Sequence, residues 1–350
     1  MPDERRFTAD SLRRFVAAAL MAHGLPPEDA AVVSDLMIEA DLLGGDGHGI
    51  FRLPRYLARL KAGGFNPTPS IRTERRQGAM ALVDGDNAMG HLVMKRCAEL
   101  AVEIASDQGI GWVGAHHSNH AGAAGVYAMM PISSDMIGIY VAVGNANHMA
   151  PWGGIELLLS TNPIAVGIPG ETMPILLDMA TTTAAYGKVK LALQRGEMMP
   201  EGWMIDALGR ALTDPAKASG GSLLPIGGPK GFGLALVFGL LAGTLNGAAF
   251  GRDVIDFNAD DASATNTGQF ILALDIKAFG DVSAFKGRVD AIRAEMKSSP
   301  LRPGFNDIRL PGERALAVRQ ERLATGIPLA SSMLAELDTM AQSLGIEGLS

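Results

Sequence analysis

Between Lys230 and Arg252 the chain carries no charged residue for 21 positions. Such a run either crosses a bilayer, which takes about 20 apolar residues, or lies inside a folded protein. Within it Gly239, Gly243, Gly247 and Gly251 recur every four residues, as on a helix face that a neighbour approaches closely. The run is solitary, contains Asn246 and six glycines, and sits deep in a chain of ordinary polarity. It therefore predicts a buried core helix over 231–247 and no membrane partner. The start, Met1-Pro2-Asp3-Glu4-Arg5-Arg6, lacks the apolar core of a secretion signal, so a cytoplasmic protein is expected.

Composition narrows the choice further. The 350 residues suggest two domains at about 150 residues each. Hydrophobic residues at 47% against charged residues at 19% exclude wholesale disorder. Lys+Arg 30 against Asp+Glu 37 gives a net charge of −7 without a basic cluster, which argues against a nucleic-acid partner. A lone cysteine, Cys97, excludes an internal disulfide and a cysteine-based zinc site. Glycine is in excess, at 43 residues, with no collagen-like period.

Helical periodicity starts at the Thr8 cap with Leu12, Phe15, Val16, Ala19 and Leu20, breaks at Gly24-Leu25-Pro26-Pro27, and resumes to about Leu43. A third helix is expected over Phe51–Lys61, and Asn66-Pro67-Thr68-Pro69 reads as a boundary. Short apolar runs then predict strands at 79–83, 111–115, 137–143, 164–168, 175–177 and 269–275, with helices at 89–105 and 282–297. The tail from Glu313 is helical, interrupted at Gly326-Ile327-Pro328. The expected fold class is α/β: a mixed α/β domain over 75–300 with a helical domain formed by both chain ends, 1–74 and 301–350.

All seven histidines, His23, His48, His91, His116, His117, His120 and His148, precede residue 149. His23 sits before a helix-ending glycine, a structural place, and His91 at a helix start reads as exposed. His48 lies between glycines in Asp46-Gly47-His48-Gly49, with Arg52 and Arg55 on the helix that follows. An imidazole and guanidinium groups at one helix entrance pair a proton donor with a carboxylate binder; solvated surface residues are the plainer alternative. The run His116-His117-Ser118-Asn119-His120 follows a strand and precedes a small-residue turn, where α/β proteins place ligands. It suggests catalytic or substrate-contacting roles for His120, Ser118 and Asn119. No metal is expected, because no carboxylate lies near these histidines in the sequence.

Nucleotide signals are indirect. Neither a Gly-x-Gly-x-x-Gly turn after a strand nor a phosphate-loop motif is present. The run Gly227-Gly228-Pro229-Lys230-Gly231-Phe232-Gly233, opening the uncharged helix, suits an anion held by backbone N–H groups and one lysine.

Asp46-Gly47-His48-Gly49 with Arg52-Leu53-Pro54-Arg55-Tyr56, Val83-Asp84-Gly85-Asp86-Asn87, Ser118-Asn119-His120, Ala150-Pro151-Trp152-Gly153-Gly154, Thr161-Asn162-Pro163, Leu177-Asp178-Met179-Ala180, Gly228-Pro229-Lys230-Gly231 and Pro311-Gly312-Glu313 occur in one order along nearly the whole chain. In this they resemble the malate/L-lactate dehydrogenase family of the second type. The resemblance implies a non-Rossmann cofactor domain, NAD or NADP as cofactor, a small 2-hydroxy or 2-oxo acid as substrate, and a homodimer. It makes His48 the proton donor, with His120 a competing candidate, and Arg52 the carboxylate ligand, with Arg55, Ser118 and Asn119 beside it. Thr161, Asn162, Pro163, Asp178, Met179, Ala180, Lys230, Gly231, Pro311, Gly312 and Glu313 match cofactor-binding positions. Two departures stand out: Gly47 replaces a usual serine, and Gly239 replaces an acidic residue. His116, His117 and His148 are also unusual for the family. Reduction of a cyclic imine carboxylate, or a catalytically silent ligand-binding relative, are the alternatives.

Overall fold

The computed structural model describes residues 4–349 (for residue 194, the backbone alone). The N-terminal part comprises β1 (Glu4–Phe7), α1 (Ala9–Met21), α2 (Pro27–Leu42) and α3 (Leu53–Ala62). The central part begins with β2 (Arg72–Gln77), β3 (Met80–Asp84), α4 (Gly90–Gln108), β4 (Ile110–Ser118), α5 (Ala124–Ala128), β5 (Met136–Ala142), β6 (Ile164–Ile168) and β7 (Ile175–Met179). It continues through α6 (Tyr186–Arg195), β8 (Met204–Ile205), β9 (Ala211–Leu212), β10 (Ser222–Leu223), α7 (Pro229–Ala242), β11 (Thr267–Asp275) and α8 (Val282–Lys297). The chain closes with α9 (Glu313–Thr325), β12 (Ile327–Ala330) and α10 (Ser331–Leu344).

The local reasons are conventional. Thr8 accepts a hydrogen bond from Ser11 N–H and so caps α1, whose apolar positions Leu12, Phe15, Val16, Ala19 and Leu20 are all buried. Helices α3 and α4 both end on glycines in the left-handed region, Gly63 at φ +84° and Gly109 at φ +79°.

Seven strands form one sheet in the order β2-β3-β4-β11-β5-β6-β7. Its apolar centre, β11, pairs antiparallel with both β4 and β5, Ile271 standing opposite Val113 on one side and Tyr140 on the other. The one parallel pair, β3 with β4, is joined by α4, so the carboxyl ends of both strands open at the same edge. That edge carries Asp84 and the run His116–His120. The order differs from a doubly wound parallel sheet, and the chain is α/β of the mixed, non-Rossmann kind.

β1 pairs with β12, and α2 packs on α9, so the two chain ends meet. One hydrophobic core runs from Leu12 and Met37 through Val83, Ile104 and Ile271 to Leu337, without a break near residues 75 or 300. A smaller core, of Val189, Met204, Leu212 and Leu223 among others, sits between α6 and the three-stranded sheet β10-β8-β9.

The uncharged segment departs from expectation. Helix α7 stops at Ala242, and Gly247 and Gly251 lie in turns at positive φ. The helix is also not wholly buried: Gly231, Ala235, Gly239 and Ala242 face inward, while Leu234, Val237 and Leu240 are exposed. A Cβ at Gly239 would overlap the ring of Phe250, so close approach fixes that glycine. No helix among the described residues is long and apolar enough to cross a membrane.

Candidate active site

The loop between α2 and α3 presents His48, and three devices hold it. Asp41, in the last turn of α2 and 2% exposed, accepts the Ile50 N–H at 2.8 Å. Gly49 lies flush against that carboxylate, where a Cβ would overlap it. Arg322, reaching across from α9, donates to the Asp41 carbonyl and forms an ion pair with Asp46. By contrast, nothing lies within 4 Å of where a Cβ on Gly47 would sit.

His120 stacks on His48, with ring centroids 5.9 Å apart and planes 11° from parallel. Its Nδ1 is 2.6 Å from Tyr56 Oη and 3.3 Å from the Gly122 N–H. An amide N–H only donates, so Nδ1 is an acceptor and the proton of neutral His120 sits on Nε2. Burial pushes the Tyr56 phenol up, keeping it an O–H donor. Phe257 also packs on His120, 5.3 Å between centroids and tilted by 33°. His91 was expected at the surface; it is instead 1% exposed beneath Tyr56, with neither ring nitrogen hydrogen bonded. Burial alone lowers its pKa to about 3, so it stays neutral.

Both site imidazoles resist protonation. His48 keeps an open edge, but the protein around it, then the charge of Arg52, lower its pKa to about 4. Burial, then Arg52, His48 and His91, hold His120 well below the usual histidine range. Arg52 donates Nε–H to Gly47 O at 2.8 Å and Nη1–H to Asn258 Oδ1 at 3.3 Å, and meets no carboxylate among the described residues. Arg55 differs: it pairs with Asp261 at 2.6 Å. Arg59, fully buried, donates to the carbonyls of Asp260 and Ser263. The segment 256–263 thus forms a wall of the site, and sequence reading missed it, along with Tyr56, Asp41 and Arg322. Its Asx turns, such as Ser263 and Ala262 N–H onto Asp260, are visible in the sequence only as an Asp/Asn cluster.

Ser118 and Asn119 are buried and committed inward. Ser118 donates to Gln269 at 2.6 Å, and Asn119 bonds Asn87, Ala88 and Thr265. They hold the turn that delivers His120. His23 bonds Ala19 O at the end of α1, a structural place as expected.

The residues matched to cofactor positions gather around β7, an edge strand. Thr181 joins three of the segments: its N–H donates to Thr161 O at 2.9 Å, and its carbonyl accepts the Ile226 N–H at 2.9 Å. Asn162, fully buried, donates to Ala235 O and accepts from Gly144 N–H, pinning α7 to the sheet. Asp178 accepts the Gly125 N–H at 2.8 Å; Met179 and Ala180 follow it, and Pro163 leads into β6. Pro311 O accepts the Leu176 N–H, and Gly312, at φ +89°, lies against Leu176. Glu313 is paired with Lys297 at 2.8 Å. Ahead of α7, Gly227 and Gly228 both adopt positive φ, a Cβ on Gly231 would overlap Ile226 O, and exposed Lys230 makes no ion pair among the described residues. Two left-handed glycines, a helix start and an uncompensated ammonium fit an anionic phosphate group.

Two further groupings appear. His148 stacks on Tyr186, 4.7 Å between centroids. The expectation that no carboxylate accompanies His116 and His117 fails in space: Glu74 and Asp84 are brought to them from β2 and β3.

The mixed α/β fold thus carries paired imidazoles, an arginine that meets no carboxylate among the described residues, and a cradle at a helix start that suits an anion. The chain belongs to the malate/L-lactate dehydrogenase family, whose model matches residues 7–338. It is 38% identical to a malate dehydrogenase of Pyrococcus abyssi over 98% of this chain and 96% of that one. It is 31% identical to ureidoglycolate dehydrogenase (NAD(+)) of Escherichia coli K12, over 94% and 93% of the two chains. The solved sulfolactate dehydrogenase of Methanocaldococcus jannaschii superposes with a TM-score of 0.92 at 36% identity, covering 98% of each chain.

Proposed function

We propose that this protein interconverts a small 2-hydroxy acid and the matching 2-oxo acid, with NAD or NADP held between β7 and the start of α7. The observation that carries this is Arg52, a guanidinium with no carboxylate partner beside two neutral imidazoles. Arg52 binds the substrate carboxylate, for which its planar fork is suited. When bound, the dinucleotide supplies the hydride acceptor for oxidation and the donor for reduction.

The two histidines divide the work. The His48 ring makes no hydrogen bond among the described residues, so it is free to take the hydroxyl proton during oxidation and return it during reduction. His120, its Nδ1 occupied by Tyr56 and Gly122, offers an Nε2–H that polarises the substrate oxygen. Substrate binding also tunes His48: a carboxylate on Arg52 offsets the Arg52 charge, the smaller of the two effects that disfavour imidazolium, and so raises the His48 pKa when the oxo acid is present. Lys230, the Gly227–Gly231 backbone, Asp178–Ala180, Thr161–Pro163 and Pro311–Glu313 flank the dinucleotide.

The protein also works as a homodimer in this reading. Leu234, Val237 and Leu240 of α7 are exposed, as is Leu245 beyond it, and Phe232 and Leu236 of the same helix line a groove of about 310 Å³ with Pro151, Leu158 and Phe250 among others. A patch of that kind is usually covered in a working protein.

The test is a screen of 2-oxo acids, 2-hydroxy acids and cyclic imine carboxylates with both dinucleotides, followed by dihydronicotinamide absorbance. Turnover of an oxo or hydroxy acid is expected, with His48→Gln lowering kcat by about 10²-fold or more. Turnover of cyclic imines alone, or an H48Q protein as active as the parent, overturns the proposal.

A further inference from the structure

Parallel pairing sets Asp84, the last residue of β3, opposite His116 near the end of β4. One donor atom from each of Asp84, His116 and His117 lies within 4.8 Å of the other two. His117 Nδ1 is 3.0 Å from Asp84 Oδ1, and His116 Nε2 is 2.9 Å from Glu74 Oε2 on the edge strand β2. The frame around them is fixed by backbone bonds, Gly85 N–H to His116 O at 3.0 Å and Asn87 N–H to His117 O at 2.9 Å. Asp84 is buried, while the His117 ring opens to solvent and leaves a way in.

We infer that Asp84, His116 and His117 form a binding site for a divalent transition-metal ion of the zinc type, separate from the proposed substrate groups. Two imidazoles and one carboxylate suit Zn²⁺, Co²⁺ or Ni²⁺ rather than Mg²⁺ or Ca²⁺, which prefer oxygen alone. Three protein ligands leave one position for water. Donors around a tetrahedral ion stand about 3.5 Å apart, so the cluster closes by about an ångström, which the exposed His117 ring can accommodate. Glu74 stands as the outer carboxylate that commonly orients a ligating imidazole. Arg72 holds the other Asp84 oxygen, Oδ2, at 2.5 Å, while Oδ1, which faces His117, also accepts the Asp86 N–H at 3.0 Å and keeps room for an ion only beside that bond; the Arg72 side chain is 60% exposed, so its opposing charge is well screened.

An ion here clips β2, β3 and β4 together at the edge where residues 84–88 support Asn119. Its role is to stiffen the turn leading to His120, without entering the reaction. The prediction is read without any assay of activity. Titration of the purified protein with Co²⁺ at neutral pH is expected to give one ion per chain, with the visible bands of a four-coordinate nitrogen–oxygen site. Zn²⁺ displaces it and raises Tm. His117→Ala and His116→Ala each weaken binding by about tenfold or more and abolish the rise in Tm. Circular dichroism checks that H117A, a change at an open side chain, stays folded. Absence of saturable binding to the parent, or binding that persists in the H116A/H117A protein, overturns the inference.

Discussion

Arg52, Arg55 and Arg59 lie on one short stretch of chain, yet they meet three different environments. Arg59 is locked onto carbonyls, Arg55 is neutralised by Asp261, and only Arg52 keeps its charge available. Arg52→Gln is expected to lower kcat/KM roughly 10- to 100-fold, the worth of a charge-assisted hydrogen-bond pair, chiefly through KM. Arg55→Gln should leave KM near the parent value and cost at most about 1 kcal/mol of stability, as a half-exposed ion pair does. Because Arg52 opposes protonation of His48, its removal moves the acid limb of the oxidation profile upward from the parent position set by a pKa of about 4. A downward or absent shift would mean that the two groups are not coupled. Glycine gives a parallel contrast. Gly47→Ser meets open space and should fold as the parent does, whereas Gly49→Ala pushes into the Asp41 carboxylate and should lower Tm sharply.

At the scale of elements, the joint between α2 and α9 governs how rigidly His48 is presented. Burial, only partly countered by the Ile50 N–H, raises the Asp41 pKa to about 7. A carboxyl whose pKa is higher folded than unfolded adds stability below the unfolded value near 4, and loses it as pH rises through 7. Asp41→Asn removes that dependence. The parent's Tm minus that of D41N should therefore fall between pH 4 and 7; a flat difference would show that Asp41 does not titrate there. Such joints explain what was legible beforehand. Strands β4 to β7 and β11 announce themselves because each is a compact apolar run. β2 does not, since all six residues of Arg-Thr-Glu-Arg-Arg-Gln are exposed and carry no alternation. The two-residue strands β8, β9 and β10 are too short for any period. In the site, His48 and Arg52 stand out between glycines, but the bonds tying Arg55 and Arg59 to 260–263 span over 200 residues, beyond any local pattern.

For the whole molecule, α7 is the telling element. Its fully buried positions are small, while three of its large apolar residues, Leu234, Val237 and Leu240, face outward, unlike a helix serving one isolated core. If a second copy covers that face, Val237→Glu with Leu240→Glu should leave a folded chain that sediments as a monomer. Dimers persisting at the same protein concentration would place the interface elsewhere.

The clamp from Arg322 to the His48 loop spans 276 residues of chain, and β1 likewise waits for β12. At a synthesis rate of about 5–20 residues per second, His48 and Arg52 precede Arg322 by roughly 15 to 55 s. The proposed catalytic groups, made early, thus remain unclamped until nearly the last helix leaves the ribosome. Closure of the proposed site arrives last, and a nascent chain stalled before α9 would already carry His48, Arg52 and the proposed cofactor-side residues through Lys230 while lacking the clamp on the His48 loop.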